Sequence, residues 1–200
     1  FTSLEEIVRI TSNIVRAVDI PVMTDADTGY GNAVNVWWTT KRLEETGAAG
    51  MNLEDQCFPK RCGHMAGKQL ISLGEMVGKI RAAVDAKRDP DFVINARTDA
   101  AYVCGIEEAI RRGNAYLEAG ADMVFVESPA SAEEVKRAIE QIKGPVSINM
   151  LEGGRTPMLT FEELRQLGAA RVSCPMFTSL IAAYALQKGL SYLMEHGTSS

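Results

Sequence analysis

The sequence contains no apolar run approaching the roughly 20 residues that a membrane-spanning helix needs. It contains no basic run and carries a formal charge of −5, which argues against a nucleic-acid partner. Its four cysteines (Cys57, Cys62, Cys104 and Cys174) are scattered and form no CxxC pair. A chain of 200 residues with 46% hydrophobic content can build a sizeable core without disulfide staples, so the thiols point to a reducing, cytoplasmic setting. No secretory or transit pattern opens the chain. No GxGxxG fingerprint follows an apolar strand. "TGYGNA" at 28–33 is too short for one and lacks the P-loop lysine, which argues against a dinucleotide-binding fold.

What the sequence does contain is alternation. It opens on "TSLEEIVRITSNIVRAV", where Ser3 and Glu6 have capping-box spacing and Leu4, Ile7, Ile10, Ile14 and Val18 recur at helical intervals. Beginning on a helix, the text reads as if something preceded it. Short apolar runs follow at 20–25, 50–54, 92–97, 122–127, 145–150 and 171–175. Between and after them lie helical patterns near 34–46, 75–87, 107–119, 131–142, 160–167 and 177–195. Near-continuous apolar strands alternating with helices predict a parallel sheet covered by helices. Three boundaries share one grammar: "ETGAAGMNLED", "EAGADMVFVES" and "QLGAARVSCPM". Each is a helix end, a glycine cap (Gly47, Gly120, Gly168), an alanine and an apolar strand, and the caps lie two strand–helix units apart. This weak repetition predicts a (β/α) barrel as the one domain of residues 1–200.

Polar residues gather at one end of the strands: Asp25 and Asp27, Glu54 and Asp55, Arg97 and Asp99, Glu127, then Asn149 and Glu152. In a parallel barrel the C-terminal strand ends share one face, so these groups are expected to converge there, although charged residues also mark ordinary loop starts. Asp25 and Asp27, two apart on a strand, are expected to share a face. With Glu54 and Asp55 they form an oxygen set that suits Mg²⁺, with helix caps and loop turns as the alternative. Zinc would find only His64 and Cys62 as soft ligands there. Arg97 and Asn149 read as anion binders of one cavity, Arg97 having Asp99 and Glu127 as competing partners. "PKRCGH" at 59–64 sets a thiol among Lys60, Arg61 and His64 on a loop loosened by Gly63 and Gly67. Positive neighbours of that kind activate a cysteine.

The stretches "DADTGYGNA", "NLEDQ", "PKRCGH", "INARTDA", "EEAIRRGNAYLEAGADMVFVES" and "NMLEGGRTP" resemble the isocitrate lyase/phosphoenolpyruvate mutase superfamily over nearly the whole chain. The resemblance implies a (β/α)₈ TIM-type barrel, Mg²⁺ (Mn²⁺ as a substitute) and chemistry through the enolate of a small keto acid. It implies Asp25, Asp27 and Glu54 as the metal-site carboxylates, and Arg97 as the substrate-carboxylate arginine, with Glu127 and Asn149 lining the pocket. It implies that Lys60, Arg61, Cys62, Gly63 and His64 form the gating loop of the lyase branch, with Cys62 the proton donor. It also implies a cytoplasmic homo-oligomer, a tetramer, that exchanges C-terminal helices and acts on a small carboxylate. Because the helical stretch 177–197 is apolar on much of its circumference, it too is expected to be covered by another subunit.

"KRCGH" matches the 2-methylisocitrate lyase-like branch, so the expected reaction is cleavage of 2-methylisocitrate to pyruvate and succinate in propionate metabolism. "VESP" and "EGGRTP", by contrast, look closer to the branch acting on 2,3-dimethylmalate-like substrates or oxaloacetate. The six strand signals fall two short of eight. A parent protein is therefore expected to add two units before Phe1, and these residues alone are expected to leave the barrel open. The rival reading is a catalytically silent barrel piece that serves as an assembly module.

Overall fold

A computed structural model describes residues 2–199. It contains six parallel strands in one sheet, in sequential order: β1 (Met23–Asp25), β2 (Gly50–Glu54), β3 (Val93–Thr98), β4 (Met123–Val126), β5 (Val146–Asn149) and β6 (Arg171–Ser173). The helices are α1 (Leu4–Ala17), α2 (Ala33–Glu44), α3 (Leu73–Ala86), α4 (Ala100–Val103), α5 (Ile106–Glu118), α6 (Ala132–Gln141), α7 (Phe161–Leu167) and α8 (Phe177–His196). All six expected strands and all seven expected helices are present. The short α4, directly after β3, was not expected. The sheet is an open half-barrel whose edges are β1 and β6.

Local chemistry explains these elements. The Ser3 hydroxyl accepts the Glu6 N–H and the Glu6 side chain returns to the Ser3 N–H, a reciprocal cap that starts α1. Thr160 and Glu163 repeat the device at α7. Gly47, Gly120 and Gly168 take φ of 84°, 103° and 91°, the left-handed region that closes a helix before the chain turns into a strand.

Side-chain parity along the strands positions the site. Met51 and Leu53, Ile94 and Ala96, Val124 and Val126, and Val146 and Ile148 pack into one buried cluster with helix residues such as Val36, Leu43, Met76, Ile80, Val135 and Leu164. Alternation sends Asn52 and Glu54, Asn95 and Arg97, Phe125 and Glu127, and Ser147 and Asn149 to the opposite, concave face. The register places Glu54 beside Arg97, Arg97 beside Phe125 and Phe125 beside Ser147.

Parity also separates two adjacent carboxylates. Glu54 faces the concave side, whereas Asp55 turns toward the helices and is fully buried. Its carboxylate accepts hydrogen bonds from the Tyr116 hydroxyl at 2.6 Å, Thr98 Oγ1 at 2.8 Å, the Asp99 N–H at 2.9 Å and Arg112 Nη1 at 3.0 Å. Asp55 is therefore a structural hub between β2, β3 and α5, and it leaves the oxygen set expected for Mg²⁺. Burial raises its carboxyl above the usual range against the pull of these donors.

Both edges of the half-barrel carry uncovered apolar groups. Ile10, Ile14, Val18 and Ile20 are exposed beside β1, and no residue of α8 is buried. No helix among the described residues is long and apolar enough to cross a membrane.

Removing the Tyr116 hydroxyl would leave Asp55 one donor short in a site without water access. Tyr116→Phe in the full-length protein is expected to cost about 1–2 kcal/mol of stability. In urea unfolding this appears as a lower midpoint at an unchanged slope. An unchanged midpoint would show that the hub does not support the β2–β3–α5 junction.

Candidate active site

The concave face centres on Arg97, whose side chain is 15% exposed. Its Nε donates to Asp99 Oδ2 at 3.0 Å and its Nη2 to Asp99 Oδ1 at 3.2 Å. Nη1 lies 3.0 Å from Glu127 Oε2, Nε lies 3.5 Å from Glu54 Oε2, and the guanidinium covers the Phe125 ring at 5.2 Å. A guanidinium has five N–H donors. Asp99 and Glu127 engage three of them, and Gly63 of the overlying loop packs against Nη2. Burial lowers the basicity of Arg97, but Asp99, Glu127 and Glu54 outweigh it and push it further up. In return, Arg97 and Lys68 hold Asp99 below the usual carboxylate range despite its burial. His64 and Arg97 do the same for Glu127.

A second charge cluster adjoins the first. The Lys60 ammonium lies 3.3 Å from Glu54 Oε2, 3.5 Å from Asp27 Oδ2 and 3.8 Å from Asp25 Oδ2. Burial lowers the Lys60 pKa, and the three carboxylates more than reverse this. Burial also pushes Glu54 up to about 7, against the opposing pull of Arg97 and Lys60. Its Oε1 is buried without a hydrogen-bond partner. Asp25 and Asp27 converge by a route different from the expected one. β1 ends at Asp25, and Asp27 sits in a left-handed turn at φ 52°, with its N–H on Asp25 Oδ1 at 2.8 Å. The Lys60 ammonium supplies the positive charge among these oxygens. No group of three or more His, Cys, Asp or Glu side chains among the described residues is gathered tightly enough to hold a metal ion. The donor set nonetheless fits a hard divalent cation: three carboxylates are drawn to one positive charge, and one of their oxygens, Glu54 Oε1, is buried without a partner.

The 55–72 segment between β2 and α3 lies over both clusters. Gln56 clamps the Arg61 backbone with its amide, accepting the N–H and donating to the carbonyl, both at 2.9 Å. Gly63 is buried against Arg97 and Glu127, and a Cβ there would lie 2.5 Å from Arg97 Nη2 and from Glu127 Cγ. The Gly63 carbonyl accepts from Ser128 Oγ at 2.9 Å and from the buried Lys68 Nζ. His64 Nδ1 accepts the Arg155 N–H at 3.0 Å, which places the ring proton on Nε2, 2.9 Å from Glu127 Oε1. That approach is out of line with the ring N–H, so Nε2 has no aligned acceptor.

The family model described as phosphoenolpyruvate phosphomutase matches residues 2–194. The chain belongs to the isocitrate lyase/phosphoenolpyruvate mutase superfamily. It is 50% identical over 184 residues to the 2,3-dimethylmalate lyase of Eubacterium barkeri, covering 92% of this chain and 64% of that protein. It is 45% identical over 196 residues to a 2-methylisocitrate lyase of Aeropyrum pernix, covering 98% of this chain and 63% of the relative. The chain thus spans less than two thirds of the length of these curated relatives. A solved phosphonopyruvate hydrolase in complex with oxalate and Mg²⁺ superposes with a TM-score of 0.85 at 31% identity, over 98% of this chain and 69% of that one.

Within this superfamily member, the expected site residues fall into three groups. Arg97, Glu127 and His64 meet around Gly63, and Asp25, Asp27 and Glu54 meet around Lys60. Cys62, Arg61 and Asn149 stand apart. The Cys62 thiol is exposed, and the cations beside it in sequence aim elsewhere: Lys60 at the carboxylates, His64 at Glu127, and Arg61 alongside Gly67. The cationic pocket expected around the thiol is therefore absent. Asn149 Oδ1 accepts from Ser173 Oγ at 2.9 Å on β6 and does not touch the Arg97 cluster. Sequence reading missed Lys68, Ser128 and Arg155. A lysine in a glycine-flanked loop reads as solvated, and only its burial reveals otherwise.

If the loop is docked through Gly63, then Gly63→Ala should hold it off Arg97. Trypsin is expected to cut the full-length variant after Lys60 or Arg61 faster than wild type, with little change in thermal midpoint. Equal cutting rates would mean that the Gly63 contact does not hold the loop.

Proposed function

We propose that the protein is a Mg²⁺-dependent carbon–carbon lyase that cleaves a small 2-hydroxy di- or tricarboxylate into an α-keto acid and a second carboxylate. The observation that carries this reading is the seating of Gly63 on the Arg97–Glu127 pair. It brings the loop bearing Cys62 onto the arginine that would bind a substrate carboxylate. The names of the relatives at 50% and 45% identity support a lyase.

In this reading Arg97 binds a substrate carboxylate, and Asp99 and Glu127 fix the guanidinium in the orientation that binding needs. Asp25, Asp27 and Glu54 would hold Mg²⁺, with Lys60 giving way to it. When bound, the ion would supply positive charge for substrate oxygens as negative charge develops on them. Cleavage begins when the substrate hydroxyl gives its proton to a carboxylate of the Asp25–Asp27–Glu54 cluster, which later releases it to solvent. The adjacent C–C bond then breaks, its electron pair leaves on the departing carbon as an aci-carboxylate, and a keto group forms behind it. Cys62 gives its thiol proton to that carbon as general acid, and the thiolate is reprotonated from solvent. His64 and Glu127 line the pocket, and Asn149 serves from its wall. The closed loop keeps water from the enolate.

Two substrates compete within this class. The higher identity to a 2,3-dimethylmalate lyase, together with Glu152-Gly153-Gly154, favours a 2,3-dimethylmalate-like substrate. The near-complete coverage by 2-methylisocitrate lyases, together with "KRCGH", supports 2-methylisocitrate. A panel of both, with oxaloacetate added, decides between them when the full-length protein with Mg²⁺ is scored by pyruvate release from the two hydroxy acids and by consumption of oxaloacetate. Turnover of none would leave the silent assembly module as the better account.

Cys62→Ser is expected to lower cleavage by about 10²- to 10⁴-fold while substrate binding persists, because a serine hydroxyl is too weak an acid. Asp25→Ala is expected to lose Mg²⁺ binding and turnover together. Near-normal cleavage by Cys62→Ser would make the thiol structural. We also propose that α8, apolar and nowhere buried, is covered by a second copy of the chain. Light scattering of the full-length protein should give a multiple of the monomer mass, and a monomer would refute that assembly.

A further inference from the structure

Lys68 is the most deeply buried cation of the loop, with a side chain that is 0% exposed. Its ammonium lies at the seam between loop and barrel. It donates to Asp99 Oδ1 at 2.9 Å on one side and to the Gly63 carbonyl on the other, and it covers the Tyr102 ring at 4.3 Å. Its three N–H donors are thus matched by a carboxylate, a carbonyl and an aromatic face. The Tyr102 ring has a second cation, Arg155, at 4.9 Å, and the Arg155 N–H caps His64 Nδ1. Asp99, in turn, receives the Nε/Nη2 edge of Arg97.

We infer that Lys68 is the positioning residue that couples closure of the 59–67 loop to the orientation of Arg97, by bridging the Gly63 carbonyl to Asp99. The location supports this over a role in general stability. A lysine is buried at a cost of several kcal/mol unless it is paired and hydrogen-bonded. This one is placed where half of its pairing exists only while the loop is down. Lifting the loop removes the Gly63 carbonyl and exposes the ammonium. Seating the loop completes the shell of Lys68 and at the same time fixes the carboxylate that aims Arg97. The loop's closed state and the arginine's binding geometry therefore share one charge. The inference deepens the lyase reading and rests on it only for its kinetic arm.

The test uses the full-length protein carrying Lys68→Met, similar in length and without charge. Hydrogen exchange is followed on peptides covering 58–70, with no substrate present. Loss of a charged donor is expected to speed exchange there by about 10- to 100-fold, while peptides from β2, β3 and α5 keep their wild-type rates. Ser128→Ala, which removes the neutral donor to the same carbonyl, should produce a smaller acceleration. On the best substrate of the panel, Lys68→Met should lower kcat by about 10- to 100-fold and raise KM by about 10-fold, because the loop loses its latch and Asp99 holds Arg97 less firmly. If Lys68→Met loses the wild-type circular dichroism spectrum, the same exchange reading is made on Lys68→Gln, which retains a donor. Unchanged exchange over 58–70 in the folded variant overturns the inference even if cleavage proceeds. Accelerated exchange in a protein that cleaves nothing upholds the latch and fails only the lyase reading.

Discussion

A guanidinium that cannot lose its proton is buried among Asp99, Glu127 and Glu54, and the concave face is arranged around it. The charge must be paired because it is buried. Each partner comes from a different strand end: Glu54 from β2, Asp99 just beyond β3 and Glu127 just beyond β4. The parallel register makes this possible, since it sets Glu54 directly beside Arg97 and brings the Glu127 N–H onto the Thr98 carbonyl at 3.0 Å. Gly63, without a side chain, can approach the same guanidinium from the loop. An arginine held by carboxylates under a close-fitting loop suits a small carboxylate.

The other face of the sheet holds the frame still. Asp55 collects four donors from β3, the residue just beyond it and α5, so the strand that carries Arg97 is anchored from behind by a residue adjacent to Glu54. One step in sequence is a half-turn of side-chain direction in a strand. Two consecutive acids therefore do unrelated work, one in the charge cluster and one in the wall.

Much of the fold was legible because its signals are local. Capping pairs such as Ser3–Glu6, the left-handed caps at Gly47, Gly120 and Gly168, and apolar strands all act within a few residues. The convergence of Asp25, Glu54, Arg97 and Glu127 followed from the shared polarity of parallel strand ends. Other features were beyond a linear reading. The left-handed turn at Asp27 and the opposite face of Asp55 depend on where β1 and β2 end. The environment of Cys62 was misjudged because Lys60 and His64 are drawn away by carboxylates distant in sequence. Lys68 looks like any solvated lysine until the loop folds over it. Asn149 does lie on the concave face, but Ser173 engages it first.

In the proposed reaction a bond would be cleaved so that its electrons leave on carbon, and a group on the closed loop would protonate that carbon from one side. Cleavage in deuterated water by the full-length protein with Mg²⁺ tests this directly, with the keto acid and the second carboxylate analysed by mass spectrometry and NMR. The account predicts keto-acid release with one solvent deuterium at a single stereochemical position of the carboxylate product. Label scrambled over both positions, or no keto acid from any hydroxy acid offered, would contradict it.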